Sequence, residues 1–469
     1  MQKCHIAVDI GAGSGRLMAG FLEGQQLKLQ EVHRFANDMQ FQNGHWCWDI
    51  DGLFHEIING LKACPSQDLQ PTTIGIDTWA VDFVLLDEQK ERITDAVAYR
   101  DSRTEGIMEE VCEIIPSTEL YRETGIQFQP FNTIYQLYAF YHQNPNKLEH
   151  AAYFLMVPDY LHFRLTGRIV NEYTNATSTQ LLDAKTKDWH QGILQKLHIP
   201  THFFQEITNP MQSLGPVTSE ISQQLGYELD VVLPGTHDTA SAVLAVPDDQ
   251  VIYISSGTWS LMGVQIDQPI TTEEALTANF TNEGGAAGKI RFLKNIMGLW
   301  MIQQVKKELS QDYSYSDFVE FAYQEADFNA TVDANDSRFL HPPSMITAIQ
   351  GYCRESDQPI PRTAGELAKC IFDSLVHSYQ MTIEQMEHLT GKHYPTIYII
   401  GGGSKNKYMN QKLASISGRK VCAGLEEATA IGNITAQMIA TGQMDSLEHA
   451  RQLVRHSFPM KQYKGDVIK

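Results

Sequence analysis

One local pattern occurs twice in this chain: an apolar strand, a glycine-bearing turn, and a second strand running back. In the first copy Cys4 to Ile10 passes through Gly11-Ala12-Gly13-Ser14-Gly15 into Arg16 to Leu22, and a third strand returns after Glu23-Gly24 through Leu27 to Phe35. In the second, Gln250 to Ser255 passes through Ser256-Gly257-Thr258 into Trp259 to Val264. A Rossmann glycine loop has to open a helix, whereas Leu17-Met18-Ala19-Gly20-Phe21 continues as strand, so the dinucleotide reading becomes a minor alternative. A chain of 469 residues exceeds the size at which single cores stop growing. Two hairpin-led α/β halves are expected, roughly 1–246 and 247–469, divided near the turn Val246-Pro247-Asp248-Asp249.

Between these landmarks the apolar spacing alternates between helix and strand. Ile50, Leu53, Phe54, Ile57, Ile58 and Leu61 recur at helical spacing over Asp49 to Cys64, and Thr73-Ile74-Gly75-Ile76-Asp77 follows as a buried strand. Residues 104–200 read as helical, including Asn132 to Tyr141 and Asp159 to Leu165. A strand at Val231 to Leu233 meets a helix that begins after Asp238 and ends near Val246. Leu367, Ile371, Leu375, Val376 and Tyr379 predict a long helix from about Thr363 to Leu389. Strand Thr396 to Ile400, the glycines 401–403 and helix Asn406 to Ser417 follow.

Charge and composition exclude several classes of partner. A net charge of −20 with no Lys/Arg cluster argues against nucleic acid and against an anionic membrane surface. No apolar run reaches membrane-spanning length and no signal-peptide core follows Met1, so a cytoplasmic protein is expected. Seven cysteines without a C-x-x-C pair indicate neither a zinc site nor a disulfide framework; Cys353 and Cys370 are expected as reduced buried thiols. His341 and His393 show no metal-ligand spacing.

The candidate chemistry sits in the turns. Ala12 to Arg16 offers successive backbone amides without side-chain obstruction, an anion nest supplemented by the donors of Ser14 and Arg16. Asp238, in Val-Leu-Pro-Gly-Thr-His-Asp-Thr, lies between an apolar strand and an Ala-rich helix, where a catalytic base would sit. Asp is also a preferred N-cap residue, and both readings stand. Asp9 is either a ligand-site carboxylate or a cap on its turn. Glycines 401–403 leave bare backbone against which a planar ligand could lie.

Duplicated halves, each led by a phosphate hairpin, resemble the sugar-kinase, hexokinase, actin and heat-shock ATPase superfamily over the whole chain. Within it, Asp9 to Ser14, Tyr99-Arg100-Asp101-Ser102-Arg103, His237-Asp238-Thr239 and Gly401-Gly402-Gly403 resemble the FGGY family of carbohydrate kinases. Thr78 to Phe83, Asn175 to Leu181, Gly257 to Gly263 and Lys294 to Trp300 are similar to the members acting on L-rhamnulose. The resemblance implies an α/β fold of two actin-like (ribonuclease H-like) domains with a cleft between them, 1–246 binding sugar and 247–469 binding nucleotide. Ala12, Gly13, Ser14, Gly15, Arg16, Thr258, Gln303 and Gly402 are implied as ATP contacts, and Asp9 as holding Mg²⁺ through water. Ala80, His237, Asp238, Thr239 and Asn295 are implied as sugar contacts, with Asp238 the general base.

Ala80 stands where the family has Gly. Asp82, Arg100, Asp101 and Arg103 fall near the implied cleft, though a structural ion-pair network accounts for them as well. The activity implied is ATP-dependent phosphorylation of L-rhamnulose at O1. A kinase for xylulose, fuculose or glycerol, or a non-catalytic sugar- or nucleotide-binding regulator on the same fold, remain the alternatives. Monomer and homodimer are both open.

Overall fold

The computed structural model describes residues 1–340 and 342–465; His341 lies outside them. The chain forms two compact units. The first comprises Met1–Pro247, Gln265–Phe292 and Ala428–Ser457, and the second Asp248–Val264, Leu293–Glu427 and Phe458–Lys469.

In the first unit a six-stranded sheet runs in the order Gln212–Pro216, Asp230–Leu233, Leu69–Thr78, Gln2–Ile10, Ser14–Glu23, Gln26–Ala36. Gln2–Ile10 pairs antiparallel with Ser14–Glu23 and parallel with Leu69–Thr78, and the second pairing sets Asp9 opposite Asp77. Ile6, Val8, Ile10, Ile74 and Ile76 are fully buried, as central strands covered on both faces require. Helix Ile50–Ala63, capped by the Asp49 side chain, contributes Leu53, Phe54, Ile57, Ile58 and Leu61 to the same core.

Helix Ala428–Ala440, from far along the chain, packs on strands Gln2–Ile10 and Leu69–Thr78 and on helix Asp238–Leu244. Gly432 makes that approach possible, since a Cβ there would lie 1.7 Å from the Ser241 carbonyl oxygen. Asn433 and Gln437 on this helix are fully buried. Gln437 donates to the Ile6 carbonyl oxygen and to Asn433 Oδ1, and Asn433 donates to Asp77.

A second core gathers around helices Ile107–Ile114, Thr133–Gln143 and Gln191–Lys196. The stretch expected to be helical also contains strand Tyr153–Met156, paired antiparallel with Phe83–Leu86. Four consecutive apolar residues, Tyr153 to Met156, are too few to display a period, so helix and strand could not be told apart there.

The second unit is built on Ile252–Ser256, antiparallel to the strand beginning at Trp259 and parallel to Thr396–Ile400. Thr396–Ile400 pairs in turn with Lys420–Ala423, which is antiparallel to Lys461–Tyr463. Its long helix, Ala364–Thr390, opens on a capping box between Thr363 and Glu366 and closes on Gly391 at φ 64°. The cysteines are free thiols, with Cys353 and Cys370 both buried. Among the described residues no helix is long and apolar enough to cross a membrane.

Candidate active site

The first hairpin turn is tied from behind. Gly11 N–H donates to the Ser14 carbonyl oxygen at 2.9 Å, while Asn37 donates to the Gly13 carbonyl through its backbone and to that of Gly11 through its side chain. A Cβ on Gly13 would meet nothing within 4 Å, so the outer side of the turn is open backbone. Arg16 turns back to Asp9, its Nη2 2.8 Å from Oδ2, and thereby neutralises the first strand-end carboxylate.

Asp9 has a buried neighbour in Asp77. Asn433 donates to Asp77 Oδ2, but Asp77 Oδ1 is buried with no hydrogen-bond partner. Burial pushes the Asp77 carboxyl well up, and the charges of Asp9 and Asp238 push it further. Burial also raises Asp9, against the pull of Arg16.

Asp238 reaches the same end of the sheet because Thr78 N–H donates to the Thr236 carbonyl at 2.9 Å, extending the strand pairing to His237. Glu172 fixes this segment. Its buried carboxylate accepts from the backbone N–H and hydroxyl of Thr236 at 3.0 and 2.7 Å, and from the Thr174 N–H at 2.9 Å. Helix Asp238–Leu244 has His237 at its cap position, with no side-chain capping bond, so Asp238 is the first helical residue rather than the cap. Asp238 Oδ1 accepts from the Thr239 backbone and, at 3.0 Å, from its hydroxyl. The carboxylate keeps one third of its surface exposed.

His237 is less free than its sequence position suggests. Arg291, fully buried on strand Ile290–Met297, donates from Nη2 to His237 Nδ1 at 3.0 Å, while Glu283 Oε2 lies 3.1 Å from the same Nη2. An arginine has no lone pair to offer, so Nδ1 is the acceptor, and the ring presents Nε2–H, 3.4 Å from Asp238 Oδ1. The one ring proton of His237 therefore faces the Asp238 carboxylate. Glu283, Arg291, Glu172 and Asp77 were not among the candidates read from sequence. A charge inside an apolar strand, as in Ile290-Arg291-Phe292-Leu293, was the available signal.

Ala80 lies in a loop held by its neighbours: Asp82 N–H donates to the Ala80 carbonyl at 3.0 Å, and Val81 N–H donates to Ser178 Oγ at 3.2 Å. Val81 adopts φ 69°, a strained position for a β-branched side chain and one that no sequence signal announced. The Asp82 carboxylate accepts from the indoles of Trp48 and Trp79 at 2.6 and 2.9 Å and from Gln136 at 3.0 Å. Asp101 accepts from His45 and from the Trp46 and Arg103 backbones. Asp82 and Asp101 therefore hold this part of the unit together.

In the second unit the hairpin turn and the glycine triplet share one framework. A Cβ on Gly298 would lie 2.6 Å from the Trp259 carbonyl carbon, so helix Trp300–Glu308 starts hard against the hairpin. Trp300 N–H donates to the Thr258 carbonyl at 3.1 Å, and Gln303, one turn on, lies 3.4 Å from the Thr258 hydroxyl. Gly401 and Gly403 press on Ser256, whereas a Cβ on Gly402 would meet nothing within 4 Å. Asn295 belongs to strand Ile290–Met297 in this unit.

Elsewhere, Glu123, Asp183 and His190 bring three possible metal ligands within 4.8 Å of one another. His190 Nδ1 accepts the Ile193 N–H, so the Nε2 facing the two carboxylates carries a proton and offers no lone pair.

Residues 4–245 match the N-terminal domain, and residues 252–441 the C-terminal domain, of the FGGY family of carbohydrate kinases. The chain belongs to this family. It is a carbohydrate kinase, with a sugar and ATP as its small-molecule partners, and has the two-domain fold of actin-like, ribonuclease H-like ATPases. A protein of Oceanobacillus iheyensis named Rhamnulokinase is 53% identical over 99% of this chain and 98% of its own length. A Bacillus subtilis protein of the same name is 45% identical over 97% of this chain and 94% of its own. Among solved structures, the ligand-bound xylulose kinase of Lactobacillus acidophilus superposes with a TM-score of 0.80 at 17% identity, covering 99% of this chain and 94% of that one. Plasmodium falciparum glycerol kinase with ADP reaches 0.80 at 16% identity, covering 99% and 95%. At such identities the structural likeness concerns the fold of this carbohydrate kinase alone.

Proposed function

We propose that this carbohydrate kinase transfers the γ-phosphoryl group of ATP to O1 of L-rhamnulose, giving L-rhamnulose 1-phosphate and ADP. The substrate is supported by the near full-length similarity to proteins named Rhamnulokinase. The observation that carries the chemistry is Asp238, a partly exposed carboxylate whose Oδ1 is engaged by Thr239 and faced by His237, while Oδ2 makes no hydrogen bond among the described residues. Asp238 takes the O1 proton as O1 forms its bond to the γ-phosphorus and the bond from that phosphorus to the β-phosphate oxygen breaks. Thr239, whose hydroxyl proton goes to Asp238 Oδ1, accepts from a sugar hydroxyl beside it, and His237 lines the same place with its Nε2–H toward Asp238. The backbone of Ala80 and the amide of Asn295 recognise the remaining hydroxyls.

The first unit is the sugar-binding domain and the second the nucleotide-binding domain, with Thr258, Gln303 and Gly402 against the nucleotide. The amides of Ala12 to Gly15, with the Ser14 hydroxyl, meet the phosphate end. Arg16 serves there with part of its charge already committed to Asp9.

Mg²⁺ fits the carboxylate cluster by donor chemistry, since Asp77 Oδ1 is an orphaned hard oxygen beside Asp9. Asp9 would hold the ion through water, with Asp77 Oδ1 as a further oxygen beside it. When bound, the ion offsets phosphate charge. A cytoplasmic setting is supported by the free, mostly buried thiols.

Coupled ADP release across a panel of ketoses and glycerol, with the product position assigned by phosphorus NMR, tests the proposal. L-rhamnulose should give the highest kcat/KM and a 1-phosphate. A higher value with L-xylulose, L-fuculose or glycerol would leave the family and remove the substrate. ATP binding without turnover on any of them would favour a regulator.

A further inference from the structure

Behind the reacting carboxylate, three buried groups are joined in one line. Glu283 on strand Thr281–Gly284 faces Arg291 at 3.1 Å and, less closely, His237 Nδ1 at 3.4 Å; Arg291 donates to that Nδ1 at the shorter 3.0 Å, and His237 Nε2 faces Asp238 Oδ1 at 3.4 Å. Arg291 is anchored again by Nε donating to the Gly284 carbonyl at 2.8 Å. His237 is held through its backbone N–H, 3.3 Å from the Thr174 hydroxyl. Burial alone would raise the Glu283 carboxyl, but the Arg291 guanidinium holds it below its ordinary value. The Glu283–Arg291 pair is therefore charge-compensated, and its directional bond to Nδ1 decides which ring nitrogen keeps the proton.

We propose that Arg291, itself held by Glu283, is a positioning residue for phosphoryl transfer: it locks His237 as the Nε2–H tautomer, which turns its N–H toward Asp238 Oδ1, already bonded to Thr239, and leaves Oδ2 to receive the sugar proton. This rests on Asp238 being the base. With the other tautomer, Nε2 would turn a lone pair toward the carboxylate and repel it from this position. An arginine is required because a buried lysine offers one compact ammonium where the guanidinium fork serves the Gly284 carbonyl, Glu283 and the ring together.

The test begins with the unmodified protein. Nitrogen-15 spectra of histidine-labelled enzyme, with the His237 signals identified by their loss in His237→Gln, should show a pyrrole-type Nε2 and a pyridine-type Nδ1. A ring protonated at Nδ1 alone overturns the proposal whatever the variants do. The double variant Glu283→Gln/Arg291→Met then removes both charges without stranding either. It should admit the Nδ1–H tautomer and lower kcat by about 10- to 100-fold through misplacement of the base, with ATP affinity unchanged. Arg291→Lys, which keeps a charge beside Glu283, should lose most of the same activity and serves if the double variant does not fold. Turnover within twofold of the parent in a folded variant whose ring has changed tautomer would overturn the positioning role. Asp238→Asn, assayed alongside, separates the two readings: normal turnover there removes the base, while the wild-type ring spectrum still reports on Arg291.

Discussion

Asp9 and Asp77 are direct partners across the two central parallel strands of the first unit, which sets a buried carboxylate beside a half-buried one whose close ion pair is with Arg16. On the proposed function, a divalent ion bound here would stabilise such a pair. Mg²⁺ titrated into nucleotide-free protein should raise the thermal midpoint, and ligand at a hundred times its Kd is worth about 2.7 kcal/mol. Asp77→Asn should shrink that rise. Equal rises in the two proteins would take Asp77 out of the cation site.

Asp238→Asn keeps the side chain's shape and its bonds to Thr239 but cannot accept the O1 proton. The expected fall in kcat is on the order of 10² to 10⁴. Because the cap position belongs to His237, the thermal midpoint should stay within a degree or two of the parent, on the order of surface substitutions. Near-normal turnover would remove Asp238 as the base.

Adjacent glycines of the second unit should respond oppositely. At Gly403 a methyl group would lie 2.0 Å from Ser256 Oγ, so Gly403→Ala should destabilise the protein by about 1–3 kcal/mol through overpacking. At Gly402 a methyl meets open space, so Gly402→Ala should fold normally and weaken ATP binding. Calorimetric titration with ATP beside thermal melts distinguishes them. Unimpaired nucleotide affinity in Gly402→Ala would place the nucleotide elsewhere. Gly13→Val in the first hairpin, also open to solvent, should likewise lower ATP affinity while sparing sugar binding.

Asn295→Ala should cost about 1–3 kcal/mol for each sugar hydroxyl left unpaired, seen as a loss of preference for L-rhamnulose over other ketoses. ATP dependence should survive. A variant with an unchanged ketose preference would show that Asn295 does not read the sugar.

Asp159 is fully buried on helix Val157–Thr166 and accepts the Glu172 N–H. Burial raises its carboxyl well above the ordinary value, and the Glu172 charge adds to the rise. A raised carboxyl contributes stability in full below its unfolded value, and that contribution is lost as pH climbs through the folded one. Asp159→Asn should therefore melt higher than the parent near about pH 8, with the difference fading toward about pH 4. The same margin at both ends would show that Asp159 is not the group that titrates.

The hairpins, the helix opening at Asp238 and the capped helix Ala364–Thr390 were legible because each is written in contiguous residues. Turn glycines, a period of apolar side chains and a cap lie within a few positions of one another. The support behind the site was not legible, because its members meet only in the folded chain. Arg291 reaches His237 across 54 positions of sequence, and Asn433 reaches Asp77 across 356. The placement of the His237 ring proton was out of reach for the same reason, because Arg291, which meets the ring, is remote. Strand Tyr153–Met156 failed for the opposite cause, being local but too short to carry a period.

Helix Ala428–Ala440 covers the sheet of the first unit yet leaves the ribosome late. When residues 1–247 have emerged, the strands Gln2–Ile10 and Leu69–Thr78 still lack the side chains of Asn433 and Gln437 that bond to them. Roughly 180 further residues separate the two events, a wait of about 10 to 40 s at ordinary rates of protein synthesis. For that interval a half-made domain carries an uncovered apolar face in the crowded cell. Truncation anywhere before residue 440 would therefore disable the first unit as surely as the second, although most of the first unit's own chain has already been made.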